Sequence, residues 1–86
     1  MNAATSARTD DSNSRLAADV GAALRDARQQ RGQSQRDVAT VALTSAATVS
    51  RVERGDPQVA LATVGRIARS LGMDVTFRFS RRIIGP

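Results

Sequence analysis

The chain has 86 residues and a net charge of +5, and it contains neither cysteine nor histidine. This length allows one small domain with a marginal core, and the missing side chains exclude a disulfide framework, thiolate or imidazole metal sites and the commonest general base. No apolar run approaches the ~20 residues that span a bilayer, which predicts a cytoplasmic protein.

All thirteen cationic side chains are arginines. Guanidinium groups suit phosphate and guanine, but the coding bias of a GC-rich genome also explains the absence of lysine. Only the net positive balance therefore counts as a sign of a nucleic-acid partner. The eight acidic residues are scattered, mostly beside arginines at helical spacing. This pattern is typical of surface charge, and we predict no enzyme activity, no catalytic residue, no cofactor and no metal.

The N-terminal residues 1–14 lack apolar periodicity and are predicted to be a disordered tail. A domain of helices joined by short turns is predicted over residues 15–72. Its first helix is predicted to begin near Ser14 and to end at Gly32. The apolar residues that recur there at three- and four-residue steps are Leu16, Val20, Ala23, Leu24 and Ala27.

Two short helices follow, and each opens on a serine. The first begins at Ser34, with Asp37 three residues later as in a capping box. The second begins at Ser45 and ends at Gly55, where the following Asp-Pro prevents continuation. The residues predicted to face inward are Val38, Ala39, Ala42, Val49 and Val52.

A fourth helix is predicted over about residues 60–71, with an earlier start at Asp56 left open. Gly65 lies inside it at a cost of ~1 kcal/mol, which indicates close packing at that position. Its predicted buried face consists of Leu61, Val64, Ile67, Ala68 and Leu71.

Apolar and polar residues alternate over residues 73–80, which predicts a β-strand. Val75, Phe77 and Phe79 share one face, and the two phenylalanines are the only aromatic residues of the chain. A lone strand leaves its backbone unpaired, so we expect an antiparallel ribbon with a second copy in a homodimer. The alternative is an extension that folds back over its own helices. Residues 81–86 are predicted to be a basic tail.

The stretch LRDARQQRGQSQRDVATVALTSAATVSRVERG resembles the Cro/repressor-type helix-turn-helix, or xenobiotic-response-element, family. The matching positions are Arg28, Gly32 to Gln35, Val38-Ala39, Ser45 to Ser50 and Glu53 to Gly55. The stretch LATVGRIARSLGM followed by DVTFRF is similar to HipB-type antitoxins, in which a strand after the fourth helix joins the dimer. The resemblance implies a mainly α, four-to-five-helix lambda-repressor-like domain with a C-terminal β-strand paired across a homodimer.

The turn before the third helix departs from the family pattern, which places a glycine and then an apolar residue there. Leu43 and Thr44 occupy these positions. Either Leu43 adopts a left-handed conformation at a cost of roughly 1 kcal/mol or more, or the second helix runs longer and the turn is rebuilt. The sequence leaves both alternatives open.

A helix-turn-helix inserts its second helix into the DNA major groove. Arg51 is predicted to read guanine N7 and O6, with phosphate pairing as the alternative. Ala46 and Ala47 either pack on thymine methyls or only permit close approach. The full set of predicted DNA-binding residues is Ser34, Gln35, Ser45, Ala46, Ala47, Thr48, Ser50, Arg51 and Arg54.

Four of these residues lie at helix N-termini and are predicted to hold phosphates, namely Ser34, Gln35, Ser45 and Thr48. For the two serines the alternative is capping alone. By resemblance, Arg28 and Glu53 form a structural ion pair between the first and third helices.

The resemblance implies a sequence-specific repressor, associated with the nucleoid, that binds a palindromic operator in double-stranded DNA. It also implies an antitoxin and autoregulator of a HipBA-like toxin–antitoxin system, with a co-encoded HipA-like kinase as a further partner. One alternative is a stand-alone regulator of a phage or restriction–modification system. Another is a protein-interaction adaptor on the same fold.

Overall fold

The computed structural model describes residues 3–81, with side chains given for residue 12 and for residues 14–81. These residues contain four helices, α1 (Ala3–Gln30), α2 (Gln35–Ala42), α3 (Ala46–Glu53) and α4 (Leu61–Ser70). Helix α3 packs against α1 and α2, and α2 also packs against α4. The predicted mainly α class is confirmed for this part of the chain.

Helix α1 begins at Ala3, well before the predicted start near Ser14. The segment expected to be a disordered tail is therefore helical from Ala3 onward. Residues 3–13 contain no glycine or proline, so no residue of this segment breaks the helix. The predicted end is confirmed, because Gly32 takes a φ of 65° and its N–H donates to the Gln29 carbonyl at 3.0 Å.

The predicted caps of α2 and α3 are confirmed. The Ser34 hydroxyl accepts from the Asp37 N–H at 3.0 Å, and the Ser34 N–H donates to the Asp37 carboxylate at 2.9 Å. The hydrogen bond from the Ser34 backbone N–H, and next one from the Ser34 side chain, lower the pKa of the Asp37 carboxyl group. The Ser45 hydroxyl accepts from the Thr48 N–H at 3.0 Å. Each serine thus satisfies a donor of the first turn that the helix itself leaves unpaired.

The turn between α2 and α3 contains a left-handed leucine. Leu43 has φ 58° and ψ 48°, and the Thr44 N–H donates to the Ala39 carbonyl at 3.0 Å. The first of the two predicted alternatives is therefore correct. The Leu43 side chain is 81% exposed, so burial of this side chain does little to offset the backbone strain of roughly 1 kcal/mol.

The core between the four helices is aliphatic. Its buried residues are Leu24, Val38, Ala39, Ala42, Val49, Val52, Ile67, Ala68 and Leu71. This confirms the inward faces predicted for α2 and α3. Leu61 was expected to be buried, but it is exposed, as is Leu16 of the predicted apolar stripe on the first helix. Both residues line an open groove of about 600 Å³ instead of the core.

The backbones of α1 and α3 touch at Gly21. A Cβ atom there would lie 3.0 Å from the Glu53 carbonyl oxygen and closer still to that of Val52. The expectation of close packing at Gly65 is wrong for the described chain, because a Cβ atom there would meet only the Arg69 guanidinium at 3.5 Å. The glycine that a helix crossing requires is therefore Gly21.

Helix α4 starts at Leu61, so the earlier start at Asp56 is wrong; Asp56 instead accepts the Gln58 N–H in a tight turn. After Gly72, residues 73–81 carry no assigned helix or strand. Met73 and Val75 pack back against the chain's own core, in the manner of the fold-back alternative.

The two aromatic residues lie farther out along this segment. Phe77 is 47% exposed and Phe79 is 96% exposed. Strand pairing requires a second chain, so the ribbon, the homodimer and a dimer role for Val75 stay predictions. The predicted basic tail lies outside the described residues beyond Arg81.

We expect Gly21→Ala to lower the free energy of unfolding by about 1–3 kcal/mol, because the added methyl group overpacks the crossing. In an open helix interior the same change raises it by about 0.5–1 kcal/mol. Urea denaturation measures the difference. Gly65→Ala is the matched control and is expected to stabilise. Stabilisation by both substitutions would contradict a close crossing at Gly21.

Candidate nucleic-acid interface

One face of α3 is open to solvent because the opposite face is fixed in the core. Val49 and Val52 are buried, and at 3.6 residues per turn this turns Ala47, Arg51 and Arg54 outward, where all three are exposed. The predicted contact residues Ala46, Thr48 and Ser50 are half-buried at the edges of this face. Eight residues give a helix of about 12 Å, the width of one major groove.

Arg51 is held by an aspartate that follows α3. Its Nε lies 2.8 Å from Asp56 Oδ2. The other carboxylate oxygen of Asp56 accepts the Gln58 backbone N–H at 2.8 Å. The Gln58 hydrogen bond, and next the one from Arg51, lower the pKa of Asp56. From the sequence, Asp56 was expected to help stop α3 or to start the fourth helix, and its pairing with Arg51 was not predicted.

Arg54 and Ser50 form a second unit on the same face. The Arg54 Nη1 donates to the Ser50 hydroxyl at 2.6 Å, across the one-turn spacing that brings side chains together. The Ser50 oxygen is therefore already engaged as an acceptor, and it orients the Arg54 guanidinium along the helix.

The serines predicted to hold phosphates are engaged as caps. The Ser45 hydroxyl also lies 2.9 Å from the Thr48 hydroxyl, so these two predicted phosphate ligands contact each other. Gln35 makes a contact that was not predicted, because its Nε2 donates to Glu53 Oε1 at 3.1 Å. A phosphate role for the four residues at these helix N-termini stays a prediction.

Arg28 and Glu53 form an ion pair across the packing of α1 on α3. Arg28 Nε lies 2.7 Å from Glu53 Oε2, and Arg28 Nη2 donates to Glu53 Oε1 at 3.0 Å. The side chains are only 13% and 6% exposed. Burial acts to raise the pKa of Glu53, but hydrogen bonds from Arg28 and Gln35 hold that pKa below its usual value.

Arg66 supports the turn that leads into α3. Its Nε donates to the Ala42 carbonyl at 3.1 Å, one of the carbonyl groups that the end of α2 leaves unpaired. This role of Arg66 was not predicted from the sequence, because an arginine on a helix is usually surface charge.

A family model for a helix-turn-helix domain matches residues 19–78. The chain belongs to the helix-turn-helix domain family. The match covers 60 of the 86 residues and includes α2, α3 and α4 in full. No significant match was found among curated proteins or among solved structures.

The helix-turn-helix domain supports the Cro/repressor-type resemblance and indicates a DNA-binding regulator. Helices α2 and α3 occupy the positions of the two helices of the motif. In helix-turn-helix proteins the second of these helices is the one that lies in the major groove. Within residues 3–81, no helix is both long enough and apolar enough to cross a membrane.

We expect the free energy of unfolding to fall as the pH drops from 6 towards 3. A carboxylate with a lowered folded-state pKa stabilises the fold above its unfolded pKa, about 4.3 for glutamate, and loses this contribution as the pH falls through the folded value. Glu53→Gln should cost about 3 kcal/mol at pH 6, because Arg28 then lacks its counter-ion.

Urea denaturation at several pH values checks both effects, and Glu53→Gln should show a shallower dependence than the unsubstituted protein. Residual dependence is expected from Asp37 and Asp56, whose pKa values are also lowered. Asp26→Asn, at an exposed position of α1, serves as the control and should change stability by less than about 0.5 kcal/mol. An unchanged slope in Glu53→Gln would refute the role given to this pair.

Proposed function

We propose that this protein is a sequence-specific transcriptional repressor that binds a palindromic operator as a homodimer. The observation that carries the proposal is the open face of α3. Buried Val49 and Val52 fix the helix, while Ala47, Arg51 and Arg54 are exposed on its outer side. A fixed helix with a small side chain and two cations outward matches the groove in shape and charge.

The residues of this face contribute separately to the specificity and to the affinity of DNA binding. Arg51 can give two parallel hydrogen bonds to guanine, a contact worth about 1–3 kcal/mol of discrimination. Arg54 adds positive charge beside it. Ala46 and Ala47 let the helix approach the base edges and offer methyl groups to thymine. The net charge of +5 supports attraction to any duplex, independent of its sequence.

The proposed homodimer is supported by the apolar surface beside the C-terminal segment. Leu61, Phe77 and Phe79 are exposed there, and large apolar side chains at a surface are typical of an interaction site. Two copies would present two α3 helices to half-sites one helical turn, about 34 Å, apart.

The antitoxin role rests on the HipB-like stretch from α4 into residues 73–80. We propose that the operator lies in the protein's own promoter and that a HipA-like kinase is the co-encoded partner. A stand-alone regulator is the competing role. A kinase-like gene next to this one, whose product co-purifies with the protein, would favour the antitoxin; a neighbourhood without such a gene would rule it out.

Arg51→Ala tests base reading. A duplex is first selected from a random library with the unsubstituted protein, and a shuffled duplex of equal composition serves as the reference. The Kd ratio is the Kd for the shuffled duplex divided by the Kd for the selected duplex. We expect this ratio to fall about 10- to 100-fold, since one bidentate contact is lost, while weak salt-dependent binding remains. Fluorescence anisotropy measures both constants.

Arg69→Ala is the matched control, because this arginine is exposed on α4 and its loss removes the same charge. It should leave the Kd ratio unchanged. Full discrimination by Arg51→Ala would show that another residue reads the bases. If no duplex is enriched by the unsubstituted protein, sequence-specific binding itself is wrong and the adaptor alternative gains support.

Phe79→Ser tests the homodimer without touching the core, because this side chain is 96% exposed. We expect sedimentation equilibrium to report a shift from dimer towards monomer. Leu43→Ser removes another highly exposed apolar side chain far along the chain, and it should leave the mass unchanged. A Phe79→Ser protein that dimerises as tightly as the original would argue against the C-terminal interface.

A further inference from the structure

Asp56 is the only acidic residue of the described chain that contacts the outer face of α3 through an ion pair. Its Oδ2 accepts from Arg51 Nε at 2.8 Å, and its Oδ1 accepts from the Gln58 backbone N–H at 2.8 Å. Pro57 lies between Asp56 and Gln58 in this turn and has a fixed φ. Both carboxylate oxygens are therefore engaged, one by the backbone of the turn and the other by Arg51.

Among the described residues, the Arg51 guanidinium makes a hydrogen bond only through Nε. The group carries five N–H donors in one plane, and the pairing with Asp56 uses the donor on Nε. The Nη1 and Nη2 groups remain as two parallel donors. A guanine presents two neighbouring acceptors, N7 and O6, in the major groove, so these are the donors that a bidentate contact needs.

We propose that Asp56 is a positioning residue for base reading, which holds the guanidinium of Arg51 in the orientation that contacts guanine. The proposal rests on the proposed function, since it assumes that Arg51 reads a base. Asp56 acts through Arg51, and it turns a flexible surface arginine into a group whose free end has a defined direction before DNA arrives.

The positioning of Arg51 by Asp56 can be distinguished experimentally from the effect of the negative charge of Asp56 on DNA. A carboxylate near the phosphate backbone repels DNA, so charge alone predicts that its removal tightens binding to every duplex. Positioning predicts a loss of discrimination between duplexes, with binding to a shuffled duplex unchanged or tighter. Loss of charge alone therefore changes the Kd for every duplex, whereas loss of positioning changes the ratio of the Kd values for the shuffled and selected duplexes.

Asp56→Asn is the test variant. The asparagine carbonyl oxygen can still accept the Gln58 N–H, which keeps the turn, but its amide is no longer a charged acceptor for Arg51. With the selected and shuffled duplexes described above, we expect the Kd ratio to fall at least 5-fold, towards the value of Arg51→Ala. Asp26→Asn removes the same charge from an exposed position on α1 and should keep the ratio.

A second measurement places Asp56→Asn in the Arg51→Ala background. The positioning role predicts no further fall in the Kd ratio there, because the positioned group is absent. An equal fall in both backgrounds would mean that Asp56 acts on the fold, and the proposal would be wrong. It would also be wrong if Asp56→Asn kept full discrimination while Arg51→Ala lost it. Enrichment of no duplex by the unsubstituted protein would instead overturn the proposed function itself.

Discussion

The nearly buried ion pair of Arg28 and Glu53 is the constraint on which the geometry of this domain depends. It joins α1 to α3, and Gln35 attaches the start of α2 to the same carboxylate. The Arg28 guanidinium also donates to the Gln33 carbonyl at 2.9 Å, so the link between α1 and α2 is fixed as well. Because burial of charge is costly unless each group finds partners, a shift of any of these helices that separated the partners would be destabilising.

The sequence predicts best those features that arise from neighbouring residues. The starts of α2 and α3 follow from serine caps, and their buried faces follow from the apolar spacing. The glycine at residue 21 shows the limit of such reasoning, since its partners lie about thirty positions away and only the packed helices bring them together. Strain at Leu43 was one of two open alternatives, because tertiary packing decides whether a turn or a longer helix forms.

The outward face of the candidate site was predictable from the sequence, but the hydrogen bonds between its side chains were not. The outward residues of α3 follow from helical periodicity, yet the pairing of Arg51 with Asp56 depends on how the chain turns after the helix. Gln35 illustrates the same point, because the motif places it near DNA while the structure directs its amide to Glu53. In physical terms, periodicity determines the side of a helix, but hydrogen bonds across loops determine what each side chain does.

The core of this domain consists of aliphatic side chains, and both aromatic rings lie on the C-terminal segment. The chain has no tryptophan or tyrosine, so its near-ultraviolet signals come from these two phenylalanines alone. Aromatic resonances in a nuclear magnetic resonance spectrum therefore report on the C-terminal segment, whereas methyl resonances report on the packing of the core. The molecule thus carries two spectroscopically separate probes without any label.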